Sequence, residues 1–147
     1  MAQGAFKAKV DAWVGKTKER VRAVYRESTQ RVIADMQTPR GAGGNLRVDT
    51  GFLRASLVAT TSLSLPTQRN KPDGPGAFSY DGAQVSLVIA GADITDPITA
   101  VYTASYARPR EYGARGQPGD RWVALSAQKW PQIVDQVVIE AKARAGD

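Results

Sequence analysis

This chain of 147 residues contains no cysteine and no histidine. Without cysteine it has no disulfide, no thiolate nucleophile and no sulfur-ligated zinc. Without histidine it lacks the usual general base near neutral pH and the commonest transition-metal ligand. Any catalysis would have to use carboxylates, lysine, tyrosine, serine or threonine. Ser56, Ser86 and Ser105 have no imidazole to activate them. No apolar run approaches the roughly 18 residues of a membrane span. The segment Met1–Lys7 lacks the apolar block of a signal peptide, so neither a span nor a leader is expected. No catalytic residue, cofactor or metal ligand set is predicted.

Negative charge is also scarce. Lys and Arg number 20 against 14 Asp and Glu, a net +6. The excess is uneven, with eight basic and four acidic side chains in residues 1–36. Such a bias suits a polyanion or an acidic protein neighbour, or simply a soluble basic surface. The length fits one domain, 1–147.

The clearest pattern lies at the N-terminus. Phe6, Val10, Trp13, Val14, Thr17, Val21, Val24, Tyr25, Ser28, Val32 and Met36 recur at helical steps. This predicts one long amphipathic helix over 1–37, with Trp13 and Tyr25 in the core. Its length leaves two outcomes: it packs along the whole body, or one end projects toward a partner. Pro39 and the run Gly41-Ala42-Gly43-Gly44 end it.

Residues 38–120 read as sheet and loops. Asp49 or Thr50 is suited to cap a short helix starting near Gly51, with Phe52, Leu53 and Leu57 buried. Leu57–Leu65 reads as a strand rich in β-branched residues. Gln84–Ala90 reads as a second, with Val85, Leu87 and Ile89 on one face, paired antiparallel to the first. Three prolines and three glycines make 66–82 an irregular connection. A turn-rich loop follows over 91–99, and 100–106 is either a third strand or a helix start. A C-terminal helix is predicted over 121–147, kinked or restarted at Pro131. The fold class expected is α+β: a long N-terminal and a C-terminal helix on a small antiparallel sheet with long irregular loops.

Short motifs give little chemistry. Gly15-Lys16-Thr17 lacks the upstream glycine of a phosphate loop and sits in a helical stripe. Gly41–Leu46 fails the dinucleotide fingerprint at Leu46. Asp93 and Asp96 read as turn and capping residues rather than cation ligands. Basic residues with Trp13, Tyr25, Phe52 and Tyr112 would suit a nucleic-acid strand, but no reading-head motif is present.

Two blocks carry a resemblance. Val48-Asp49-Thr50-Gly51-Phe52-Leu53-Arg54-Ala55-Ser56-Leu57 resembles an "acidic–Thr–Gly–x–Leu–Arg–x–Ser" signature, and Tyr106-Ala107-Arg108-Pro109-Arg110-Glu111-Tyr112-Gly113 resembles a "Tyr–Ala–x–x–x–Glu–aromatic–Gly" block. With the long helix before them and a helix after them, the order is similar to that of neck or tail-completion (minor tail) proteins of long-tailed bacteriophages, lambdoid type. The 66–82 segment is longer than that pattern requires, and Arg108-Pro109-Arg110 interrupts its aliphatic run.

The resemblance implies a non-enzymatic virion protein at the head-tail junction, present in the host cytoplasm during assembly. It implies a homo-oligomeric ring, six-fold in the leading reading, that completes the tail or neck and lets DNA pass. Partners would be head-connector or head-closure and tail-terminator or tail-tube proteins, with non-specific DNA contact in the lumen and no membrane. The alternatives are a terminator or head-closure subunit of the same junction, or a small basic nucleic-acid-binding protein. The motif residues are Asp49, Thr50, Gly51, Leu53, Arg54, Ser56, Tyr106, Ala107, Glu111 and Gly113. Arg54 is expected to pair with Glu111, and Gly51 to permit a close approach. Candidate interface residues are Lys9, Lys16, Arg20, Arg69, Lys71, Phe78 and Tyr80, with the 66–82 loop supplying ring contacts as a mobile edge.

Overall fold

The proline-free start of the chain folds as one continuous helix, α1 (Ala2–Met36), in a computed structural model that describes residues 2–146. Met1 and Asp147, included in the first and last predicted elements, lie outside the described residues. The two halves of α1 differ. Residues 4–21 are exposed on every face. Phe6 is 70% and Trp13 68% exposed, with Val10, Val14 and Val21 also open. The expectation that Trp13 belongs to the core fails, because the stripe has no cover within the chain. At 1.5 Å per residue this part projects about 27 Å. The second half is anchored by buried Ser28, Thr29, Ile33 and Met36. Tyr25 is half-buried, and its hydroxyl donates to the Asp96 carbonyl at 2.8 Å.

After a single 3-10 turn at Arg40–Ala42 come α2 (Phe52–Ala55) and β1 (Leu57–Thr60). The strand is shorter than the predicted 57–65. Thr60 Oγ1 accepts from the Ser62 N–H and Ser62 Oγ from the Ser64 N–H, at 3.0 and 3.1 Å. These local hydroxyl turns take backbone donors away from a ladder. β1 pairs antiparallel with β2 (Thr99–Tyr102), Leu57 opposite Tyr102 and Thr60 opposite Thr99.

The predicted strand 84–90 is instead a helix, α3 (Ala83–Gly91). Val85, Ile89 and Ala92 are buried at helical spacing, while Leu87 is 76% exposed. The other edge of β1 is met by a side chain: the Gln84 amide accepts from Ala59 N–H at 3.0 Å and donates to Ala59 O at 2.8 Å. One glutamine thus satisfies the backbone groups a second strand would have paired. The loop after α3 is tied to α1. Arg26 donates twice to the Ala92 carbonyl, and Arg22 to Asp93 Oδ1. Asp96 Oδ2 accepts from the Asp93 N–H, and Asp93 Oδ1 from the Ile94 N–H. Both aspartates fill the predicted turn roles.

The chain ends in α4 (Ala107–Tyr112), a two-residue hairpin of β3 (Gly113–Ala114) and β4 (Gln117–Pro118), α5 (Trp122–Ala127) and α6 (Trp130–Ala145). The predicted C-terminal helix is therefore two, restarted with Pro131 in the first turn of α6, where its missing N–H costs nothing. The architecture is α+β, with small two-stranded antiparallel sheets. α1 packs on α5, α6 and α3, and α3 packs on β1, so α3 lies between the long helix and the sheet. The core joins Ile33, Met36, Leu46, Phe52, Leu53, Leu57, Val85, Ile89 and Trp122. Burying Val137 of α6 completely contributes roughly 1.5–3 kcal/mol.

Charges fasten α6 to α1. Glu27 binds Arg144 at 3.0 Å and Arg31 at 2.9 Å, and Arg31 also binds Glu140. Arg144 first, then Arg31 against an opposing burial, hold Glu27 below the ordinary glutamate range. Arg31 and Gln136 do the same for Glu140. Because the folded state depresses these carboxyls, the unfolded chain takes up protons first as pH falls. Stability from the clasp is therefore present above the ordinary glutamate range and lost below it. Thermal melts at falling pH should show a drop in midpoint there, and the double variant R31Q/R144Q should flatten it. A midpoint that rises on acidification would contradict this assignment.

Candidate functional site

The two blocks that carry the resemblance meet in the fold. Gly51 opens α2 in the left-handed region at φ 87°, and the Thr50 carbonyl accepts from the Phe78 N–H at 2.8 Å. A Cβ on Gly51 would overlap the Phe78 carbonyl oxygen, so the predicted close approach is to this strap. Gly51, not Asp49 or Thr50, is the residue capping α2, without a side-chain cap. Thr50 Oγ1 instead accepts from the Phe52 N–H at 3.3 Å, and Asp49 is exposed. Leu53 is buried with Phe52 and Leu57. Ser56 is fully buried. Its hydroxyl donates to the Leu53 carbonyl at 2.7 Å, and its carbonyl accepts from the Thr103 hydroxyl at 2.8 Å.

The second block lies against the first. Tyr106 tilts over Phe52 with ring centroids 6.3 Å apart, and Ala107 packs on the same core. Burial pushes the Tyr106 hydroxyl above its ordinary pKa. The expected Arg54–Glu111 pair does not form. Buried Glu111 accepts from the Val123 and Ala124 N–H groups, one on each oxygen, both at 3.0 Å. A carboxylate at the start of α5 satisfies donors that the helix itself leaves open. Arg54 turns the other way, donating to the Gln37 carbonyl at 2.8 Å and lying 5.5 Å from the Tyr80 ring centroid. Gly113, at φ 96°, begins the hairpin.

Gln37, which no pattern singled out, joins these pieces. It is buried, donates to the Arg54 carbonyl at 2.9 Å and accepts from the Tyr102 hydroxyl at 2.6 Å. Its polar side chain at a helix end gives no sign of this in the sequence.

Six of the seven candidate interface residues separate into two groups, and Lys71 lines a basic cleft. Lys9, Lys16 and Arg20 are exposed on the projecting helix. Arg69, Phe78 and Tyr80 are fold contacts rather than a free edge. Arg69 exchanges backbone hydrogen bonds with Thr103 and Ser105 and lies 5.6 Å from the Phe52 ring centroid. Phe78 meets Phe52 edge-on at 5.1 Å, and Tyr80 packs on the core. The irregular 66–82 segment is thus a strap pinned at three points.

Between the strap, the 39–54 segment and α4 lies a cleft of about 720 Å³. Arg40, Arg47, Arg54, Lys71 and Arg110 line it against a single carboxylate, Asp49. Asp120, largely buried, accepts from both Arg40 and Arg47 at 3.3 and 3.1 Å. Two apolar grooves flank the rooted half of α1. One runs beside α6 along Val21, Val24, Val138 and Ala141, and the other passes Val32, Met36, Ile98 and Trp130. Among the described residues, no group of three or more acidic side chains could hold a metal ion. No helix among them is long and apolar enough to cross a membrane. Comparison with protein families, curated proteins and solved structures returns no match.

Proposed function

We propose that this chain is a non-enzymatic structural subunit of the head-tail junction of a tailed bacteriophage, assembling with copies of itself into a ring that completes the neck or tail and lets DNA pass. The observation that carries the reading is the uncovered apolar stripe of Phe6, Val10, Trp13 and Val14 on a helix anchored only at its other end. Holding that much apolar surface in water is costly, and subunit contact removes the cost. The second support is that the two blocks resembling the family signature pack together around Phe52 and Tyr106.

A closed ring needs heterologous contacts, in which one surface meets a different surface on the next copy. The projecting stripe and the apolar grooves at the root of the same helix are such a pair. In this reading, one subunit's 4–21 segment lies in a groove of its neighbour. Next in the junction come head-connector or head-closure proteins on one side and terminator or tube proteins on the other.

Peptide mass spectrometry of purified particles from the producing cells tests the assignment. The chain should be a stoichiometric component of tailed particles. Its absence from finished particles would overturn the reading.

A further inference from the structure

The cleft beside the signature block continues into a second one of about 670 Å³ below the β3–β4 hairpin, and the two share Arg47, Tyr106 and Arg110. Together they form one trough with cations on both walls: Arg40 and Arg47 on one side, Lys71 from the strap, and Arg110 and Arg115 from α4 and the hairpin. Among the described residues, the Arg110 and Arg115 side chains make no hydrogen bond or ion pair. Lys71 donates only to the Pro72 carbonyl, at 3.3 Å. The fold thus gathers positive charge from three separate segments; Arg40 and Arg47 are paired with Asp120, while Lys71, Arg110 and Arg115 have no carboxylate partner among the described residues.

We propose that this trough holds the phosphodiester backbone of DNA, without reading its sequence. Cations in series along a channel match a repeating anion better than a lone carboxylate. Low-dielectric walls focus their field into the channel. The cores of protein–protein interfaces are depleted of charge and rely on aromatic anchors, whereas nucleic-acid interfaces are far more positive. Here guanidinium groups dominate, and guanidinium binds phosphate through two parallel hydrogen bonds. The choice of duplex DNA over other polyanions rests on the proposed place at the junction, where the genome passes.

The test is binding of a short mixed-sequence duplex to the purified full-length chain, followed by fluorescence anisotropy across a range of salt concentrations. The double variant K71Q/R110Q should bind about tenfold more weakly for each cation removed near 0.1 M salt. Its log–log salt slope should fall by about 2. R110K, which keeps the charge but not the paired hydrogen bonds, should keep the salt slope of the parent and lose only part of the affinity. K129Q/K142Q removes equal charge from exposed positions outside both the trough and the projecting helix and should leave the slope near that of the parent. Unchanged thermal midpoints will show that the variants fold.

Equal losses from both double variants, or none from the trough variant, would overturn the proposal. So would tighter binding of poly-glutamate than of DNA, which would assign the trough to an acidic protein. The reading of the chain as a virion subunit is tested separately by particle composition. A chain missing from particles that still binds DNA through these residues would leave the trough standing and remove only that reading.

Discussion

Gly51→Val should destabilise the chain by on the order of 3–5 kcal/mol, within the range where single substitutions become severe. Two costs add. The left-handed backbone at φ 87° is unfavourable for a β-branched residue, at about 1–3 kcal/mol. The new Cβ would also overlap the Phe78 carbonyl oxygen. That atom belongs to the backbone and cannot rotate away. Relief requires the strap to lift, breaking the Phe78 N–H to Thr50 carbonyl bond and pulling Phe78 off Phe52. Typical domains have only about 5–15 kcal/mol in hand, so the variant should unfold at markedly lower urea. Asp49→Ala, at an exposed neighbouring position that does not cap α2, should shift the midpoint little. A Gly51→Val midpoint equal to that of the parent would show that the strap does not hold this position.

The strap also bears on what the sequence could and could not reveal. Periodicity exposed α1, and β-branched residues exposed a strand over 57–65, of which 57–60 forms. In each, one local pattern has one structural solution. The segment 84–90 has two: Val85, Leu87 and Ile89 alternate as in a strand, but Val85 and Ile89 are also four apart. Burial of the helical pair, and the Gln84 amide on the edge of β1, decide between them, and both are tertiary facts. Charge complementarity suggested Arg54–Glu111 because it weighs only opposite signs. The open N–H groups at the start of α5 were the better partner for a buried carboxylate. Within 66–82 there is no period to read, so the anchoring of Arg69, Phe78 and Tyr80 was invisible. The basic trough was hidden for a different reason: its cations come from separate segments and converge only in the fold.

The charge bias and the apolar stripe at the N-terminus were both legible, and their joint consequence is the second large effect expected. Removing residues 2–18 takes away Phe6, Val10, Trp13 and Val14, none of which contributes to the core. The truncated chain should keep the thermal midpoint of the parent, since every side chain described in that stretch is exposed. Its assembly should nonetheless be lost. Few changes so large separate folding from association so cleanly, because most interface residues also pack within their own subunit.

Sedimentation of the full-length and truncated proteins side by side, at equal concentration, therefore addresses the idea that copies dock through the projecting helix. The full-length chain should sediment as a multiple of its 15.8 kDa mass, and the truncated chain as a folded monomer. A full-length protein that stays monomeric at every concentration, or a truncated one that assembles equally well, would contradict it.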